Sequence, residues 1–243
     1  SISGKGLKFC YPNVAKDGKK QKQYILNHLD FNIEYGKAIG LIGLNGTGKT
    51  TFARVLSGLE KIKEGKIWAG KNKSLNRKDL KDMSYFVFQD SDYQLFSESV
   101  LDEMLLGMEG KDKKENTQKA KSILNVLGLD KYIDKHPFAL SRGEKQRLTI
   151  ACGMMKQAKI FIYDEPTSGC DKDSMLSVAK LIEEQLKIGT TVLVISHDFE
   201  FLANTVSEVA VMGDGKIETV LDMSESNKFL ILDKMRGGRE LGR

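Results

Sequence analysis

The 243-residue chain is 40% hydrophobic, 29% charged and 8% aromatic, with 38 Lys and Arg against 33 Asp and Glu. That length suits one large α/β domain, or one domain with a small appendage, and the apolar fraction excludes a disordered chain. The net charge of +5 is mild for a dedicated DNA binder, and no apolar stretch approaches the ~20 residues a membrane helix needs.

The N-terminal part reads as β, with alternation over Leu7–Tyr11 and again over Leu29–Ile33. The densest basic run, Lys16 to Lys22, reads first as a solvated loop and second as contact with an anionic partner. Ala38–Ile42 is a short apolar run of the kind a buried strand shows, and the pattern turns helical from Gly48 to Leu56. Met83–Phe88 reads as a further strand. Glu98 to Leu127 is largely helical, broken near Gly107 and Gly110 and stopped at Gly128. A helical run follows Ser141 as far as Lys156. Strand 159–163, helix 171–186, strand 191–195 and a short helix from Asp198 come next. A hairpin is expected around Gly213–Gly215 between Glu208–Met212 and Lys216–Val220, then a final helix over 227–235 stopped by Gly237 and Gly238. Strands alternating with helices imply a largely parallel sheet covered on both faces, with an added antiparallel β layer and a helical insertion between strands. The three cysteines, Cys10, Cys152 and Cys170, are odd in number and in no metal-ligand spacing, as fits a reducing compartment. No basic-then-apolar leader opens the chain, so secretion is not expected. The start at Ser1 rather than Met fits a piece of a longer polypeptide.

Gly43 to Thr50 matches G-x-x-x-x-G-K-[ST] in full, after a buried strand and before a helix. Glycines let successive N–H groups converge on one anion, and the helix N-terminus adds partial positive charge. Gly46, Thr47 and Gly48 form the curl of this loop. Lys49 would neutralise phosphate oxygens, the Thr50 hydroxyl would ligate Mg²⁺, and Asn45 and Thr51 would add polar contacts. The bland alternative, a glycine-rich turn with no ligand, does not explain why strand, loop, Lys and Thr stand in register. A nucleoside triphosphate is the expected ligand.

Ile160–Glu165 is an apolar strand ending in two carboxylates. Asp164 would hold the metal and Glu165 would act as general base toward water, because adjacent buried carboxylates are costly without a compensating cation or donor. Gln89 follows a strand and its amide could reach both metal and water, although a lone Gln is ordinarily a surface residue. His197 follows the apolar strand Val192–Ile195, where ligands of parallel sheets bind, and could contact the terminal phosphate. A satisfied structural histidine is the equal alternative there.

Tyr11, the Gly43–Thr50 loop, Gln89, Leu140–Glu144, Asp164-Glu165, Ser168–Asp171 and His197 together resemble one family, the nucleotide-binding domains of ABC transporters, over about residues 5 to 220. The resemblance implies a P-loop NTPase fold with 5–88 and 157–221 as nucleotide-binding core. About 89–156 would be a helical subdomain with the signature helix, and 222–243 a tail. It implies ATP and Mg²⁺ as cofactors and metal ligation by Thr50, Gln89 and Asp164. Glu165, His197 and Gln89 would act at the reacting phosphate, and Tyr11 would stack on adenine. Two such domains would pair head to tail, each ATP lying between one phosphate loop and the Ser141, Gly143 and Glu144 segment of the other. Asp171 would communicate across that pair. A narrower resemblance, carried by Gln89–Glu103, 164–171 and 195–201, is to the energy-coupling factor importers of vitamins and metal ions, closest to the second half of their tandem ATPases. The implied partners are a second ATPase domain (identical, separate or fused) and an integral membrane subunit, with no nucleic acid. The implied place is the cytoplasmic side of the membrane. The competing class is a soluble ABC-type ATPase acting on ribosomes or DNA, disfavoured by the short Gln89-to-Ser141 interval without sustained heptads. Two departures stand out: Arg142 where most members have Gly, and Cys170 where Leu is usual. The apolar set Leu95 to Leu106 reads mainly as the core of the insertion, with Leu95 and Phe96 assigned to a groove for a membrane-subunit helix.

Overall fold

The apolar run Ala38–Ile42 forms strand β3, buried at every position, at the centre of the main sheet. The computed structural model describes residues 1–12, 24–108, 112–168 and 172–237, without the side chains of Asp173 and Ser174. The basic run 16–22, Gly110, Gly169, Cys170, Asp171, Gly238 and the tail beyond it lie outside the described residues.

The remaining strands of the main sheet are β6 (Ser84–Val87), β7 (Ile160–Asp164), β8 (Thr191–Ile195), β9 (Glu208–Gly213) and β10 (Lys216–Asp222). They are ordered β10-β9-β3-β8-β7-β6, all parallel except β10, which returns antiparallel to β9. β8 is buried throughout and β7 nearly so, as expected of strands covered on both faces. The C-terminal hairpin therefore extends the main sheet rather than joining the separate antiparallel layer.

That layer is ordered β2-β1-β4-β5, from β1 (Ile2–Phe9), β2 (Leu26–Ile33), β4 (Glu64–Ala69) and β5 (Lys73–Leu75). β2 alternates buried and exposed along its second half, so one face meets the core and one meets solvent. The unit from β4 through α2 (Arg77–Met83) carries no sequence signal of its own, because only Ile67 of β4 is buried and α2 buries Leu80 alone. α2 is opened instead by a capping box between Asn76 and Asp79.

Between the sheets lies α1 (Lys49–Leu56), which buries Phe52, Ala53, Val55 and Leu56. On the far face α6 (Lys172–Lys187), α7 (Phe199–Thr205) and α8 (Lys228–Arg236) cover the strands. The helices α3 (Val100–Leu105), α4 (Lys113–Val126) and α5 (Arg142–Met155) build a core of their own around residues such as Val100, Met104, Leu124 and Leu148. Leu95 belongs to that core at 2% exposed, which overturns its assignment to a groove, whereas neighbouring Phe96 is 76% exposed. Leu106, 60% exposed, is not core. The split between 95 and 96 has a cause: buried Glu103 accepts the N–H groups of Phe96 and Ser97 at 2.8 and 2.8 Å, which pins the backbone and leaves the ring outside. α5 rides directly on β7, since a Cβ at Gly153 would lie 2.5 Å from the Phe161 ring.

One buried polar pair in this packing is incompletely satisfied. Tyr163 donates through its hydroxyl to Gln185 Oε1 at 2.9 Å, and Gln185 Nε2 has no hydrogen-bond partner among the described residues. Burial raises the Tyr163 phenol well above its usual range, so it stays a neutral donor. Tyr163→Phe alone orphans the second end of the amide and should cost about 1–2 kcal/mol. Adding Gln185→Leu removes the orphaned group and should recover most of that loss, a comparison that urea unfolding of the two variants makes directly.

Candidate functional site

All four strands β3, β8, β7 and β6 are parallel neighbours, so their carboxyl ends share one edge of the sheet, where α/β proteins place ligands. Each delivers one segment there. β3 runs into the 43–50 loop, β6 into Gln89, β7 into Asp164-Glu165 and β8 into Ser196-His197. Residues from all four segments line one cleft of about 750 Å³: Asn45, Gly46, Gly48, Lys49, Thr50, Thr51, Gln89, Asp164, Glu165 and His197. The volume falls in the range of small-molecule sites.

The loop leaves β3 at Gly43, whose φ of 141° no side chain favours and whose Cβ would collide with the Met212 carbonyl of β9. It enters α1 through Gly48 in a left-handed conformation, with no side chain capping the helix and no acidic residue in its first turn. The N-terminal amides are thus left facing the cleft with their partial positive charge. Thr47 closes the curl by donating to Leu44 O at 2.9 Å. Lys49 is buried, and its Nζ donates to Gly43 O and Leu44 O at 2.7 and 2.8 Å. Burial lowers its pKa, and the Glu165 and Asp164 carboxylates work against that shift.

Opposite Lys49, Asp164 accepts from the Thr50 hydroxyl at 3.4 Å. Burial raises the pKa of both Asp164 and Glu165; the Thr50 hydroxyl draws the first back down, and the His197 N–H the second. Glu165 sits at φ 52°, rare for a residue with a side chain, and is held there because its N–H donates to Ile195 O at 2.9 Å. Its Oε2 accepts the His197 N–H and its Oε1 lies opposite His197 Nε2, both at 3.4 Å. Burial and then Lys49 lower the His197 pKa, which favours the neutral imidazole. Gln89 Nε2 donates to Ser168 Oγ at 3.0 Å.

Among the described residues no three His, Cys, Asp or Glu side chains gather as a metal cage. Thr50 and Asp164 supply a hydroxyl and one carboxylate, a donor set suited to Mg²⁺, which takes few protein ligands and completes its shell with phosphate and water.

Ser141, Gly143 and Glu144 do not line this cleft. They open α5, where Ser141 caps the helix. Its N–H and hydroxyl donate to Glu144 Oε2 at 2.8 Å each, and the Glu144 N–H returns to Ser141 Oγ at 3.4 Å. The Tyr132 hydroxyl, then Ser141, hold the Glu144 carboxyl down to about 2. Tyr11, at the edge of the described residues, also stands outside the lining; its ring meets Phe9 edge-on at 4.8 Å. Ile25, Thr167 and Ser196 line the cleft without having been singled out in the sequence. Ile25 arrives through a long-range bond from its N–H to Phe9 O, which no local pattern records.

A family model described as "ABC transporter" matches residues 26–168. A Treponema denticola protein named "Putative ABC transporter ATP-binding protein" is 35% identical over 219 residues, covering 90% of this chain and 44% of its own length. The Caldanaerobacter subterraneus "Energy-coupling factor transporter ATP-binding protein EcfA2" is 33% identical over 85% of this chain and 75% of its own. Among solved structures, cbiO1 from Clostridium perfringens, described as part of the ABC transporter complex cbiONQ, superposes with a TM-score of 0.81 at 27% identity, covering 98% of this chain and 95% of that one. The chain spans about half the length of the first Treponema relatives it matches. It belongs to the ABC transporter family, as one of that family's P-loop ATPase domains.

Proposed function

We propose that this domain is the ATP-driven motor of an importer of the energy-coupling factor type, working from the cytoplasmic face of a membrane. The observation that carries the chemical half is the convergence of Lys49, Thr50, Asp164, Glu165, His197 and Gln89 on one cleft. ATP phosphates would lie on the Asn45–Thr51 loop and the α1 amides, with Lys49 exchanging its carbonyl partners for phosphate oxygens. Thr50, Asp164 and Gln89 would hold Mg²⁺, which supplies charge neutralisation to the phosphates. Glu165 accepts a proton from the attacking water, and neutral His197 steadies the Glu165 carboxylate and meets the terminal phosphate. Ser141, Gly143 and Glu144 would serve the phosphate of a second domain, since they open a 14-residue helix away from the chain's own cleft. Tyr11 would pack against adenine.

Among the described residues no helix is long and apolar enough to cross a membrane, and the transporter reading calls for an integral membrane subunit. Likeness to EcfA2 and to cbiO1 supports the energy-coupling factor class, and the half-length span of the Treponema relatives supports a tandem arrangement with a second ATPase unit. Phe96, held outward by the Glu103 clamp beside the Gln89 segment, is the natural apolar contact for a membrane-subunit helix. Tagged protein purified in mild detergent should bring down a small integral membrane protein. Phe96→Asp should reduce that recovery at least ~10-fold, as for an interface anchor, while ATP binding stays as in the parent. Ribosomal proteins or nucleic acid in place of a membrane protein would overturn the transporter assignment.

A further inference from the structure

The first turn of α5 is tied to the loop after the acidic pair by bonds that phosphate binding does not require. Arg142 donates from its guanidinium to the carbonyl of Ser168. Gln89 Nε2 donates to the hydroxyl of the same Ser168 at 3.0 Å. One turn further along, buried Gln146 donates to Pro166 O at 2.7 Å, and Lys145 pairs with Asp92 at 2.7 Å. Ser168 is therefore shared: its backbone is held from the opening of α5, and its side chain by the amide that lines the nucleotide cleft. A glycine at 142 has no side chain with which to make this bond.

Charged groups surround Arg142. Arg142 and Lys145 line a second cleft of about 540 Å³ together with Asp90 and Asp92, so two cations face two carboxylates. The guanidinium is rigid and planar, and a charge-assisted bond to a carbonyl is stronger and more directional than one from a flexible ammonium.

We propose that Arg142 is a positioning residue that couples the opening of α5 to Gln89 through Ser168. A shift of the Gln89 amide toward phosphate and metal in the chain's own cleft pulls on Ser168, and Ser168 pulls on Arg142. Nucleotide at one site thereby alters the freedom of the segment that would be offered to the phosphate of a second domain. The coupling deepens the nucleotide-site reading given above and rests on it.

Hydrogen–deuterium exchange tests this with the native chain, Arg142→Ala and Arg142→Lys, each with and without MgATP, alongside MgATP affinity by fluorescence titration. Ala is preferred to Gly because it keeps helix propensity at the first position of α5. Without nucleotide, amides of 141–146 and 166–168 should exchange roughly 10-fold faster in Arg142→Ala, as for one lost charge-assisted bond. MgATP should change exchange over 141–146 in the native chain. That response should vanish in Arg142→Ala and return in part in Arg142→Lys, while MgATP affinity of the variants stays within about threefold of the native value. Faster exchange with an intact MgATP response would reduce Arg142 to a structural tie and overturn the coupling. Unchanged exchange in both conditions would overturn the contact as well. Failure of the native chain to bind MgATP would instead overturn the nucleotide-site reading, and is told apart by the titration.

Discussion

Glu165→Gln is expected to hold MgATP within about threefold of the parent affinity while lowering turnover by roughly 10²- to 10⁴-fold, the range for loss of a positioned general base. The exchange is isosteric and keeps an oxygen for the His197 N–H, which Glu165 now accepts at 3.4 Å. What it removes is the carboxylate that can take a proton from water. The backbone argues for that role, since a φ of 52° is held by the bond to Ile195 O and aims the side chain into the cleft. The pH dependence follows in sign. Burial raises the Glu165 pKa, so parent turnover should fall as pH drops through that raised value, and the residual turnover of the variant should lose this limb. Stability of the nucleotide-free chain moves the other way. A carboxyl whose folded pKa lies above its unfolded value favours folding fully below the unfolded pKa, and that contribution is lost as pH rises through the folded one. The parent thus carries two half-buried, adjacent carboxyls whose ionised forms cost stability, and Glu165→Gln should raise the thermal midpoint at pH 7 by a few degrees. Steady-state hydrolysis, a binding titration and a melt read these three effects separately. Parent-like turnover would remove Glu165 from the chemistry.

Legibility in the sequence followed the reach of each signal. Ala38–Ile42 and Thr191–Ile195 have the residue bounds expected of them, because strands buried on both faces must be continuously apolar. α5 was readable from Ser141 and the helical run that follows it, a signal that is purely local. Local information ends at Leu95 and Phe96. Both are apolar and adjacent, yet one is core and the other exposed, and the deciding element is the carboxylate of Glu103 seven residues on. The same limit hid β4, β5 and α2, whose exposed Lys-rich surfaces leave almost no periodicity to read. In the candidate site, residues that follow strands were found because strand ends are visible in a sequence. Ile25 and Thr167 were not, since the first depends on a bond across to β1 and the second on how the loop after β7 folds back. Arg142 was visible only as a departure; its bond to Ser168 required the two segments to be brought together.

Lys49→Met should act on the other half of the chemistry, weakening MgATP binding by at least ~10²-fold, as for two lost charge-assisted bonds of about 1.5–3 kcal/mol each. Met fills nearly the same space as the lysine stem, so the fold should survive, although Gly43 O and Leu44 O each lose a donor at 2.7 and 2.8 Å. The substitution also removes a cation that helps draw both carboxyls down, after the Thr50 hydroxyl and Arg54 at Asp164 and after the His197 N–H at Glu165. Both carboxyls should then titrate still higher, and a Lys49→Met/Glu165→Gln double variant should gain more thermal stability over Lys49→Met alone than Glu165→Gln gains over the parent. That inequality is specific to a lysine sharing one electrostatic site with the acidic pair. If Lys49 were only a clamp on its own loop, the two stability effects would add, and MgATP affinity would stay near the parent value. Binding titrations and melts of the four proteins in one cycle therefore distinguish a phosphate-site lysine from a structural one, without reference to turnover.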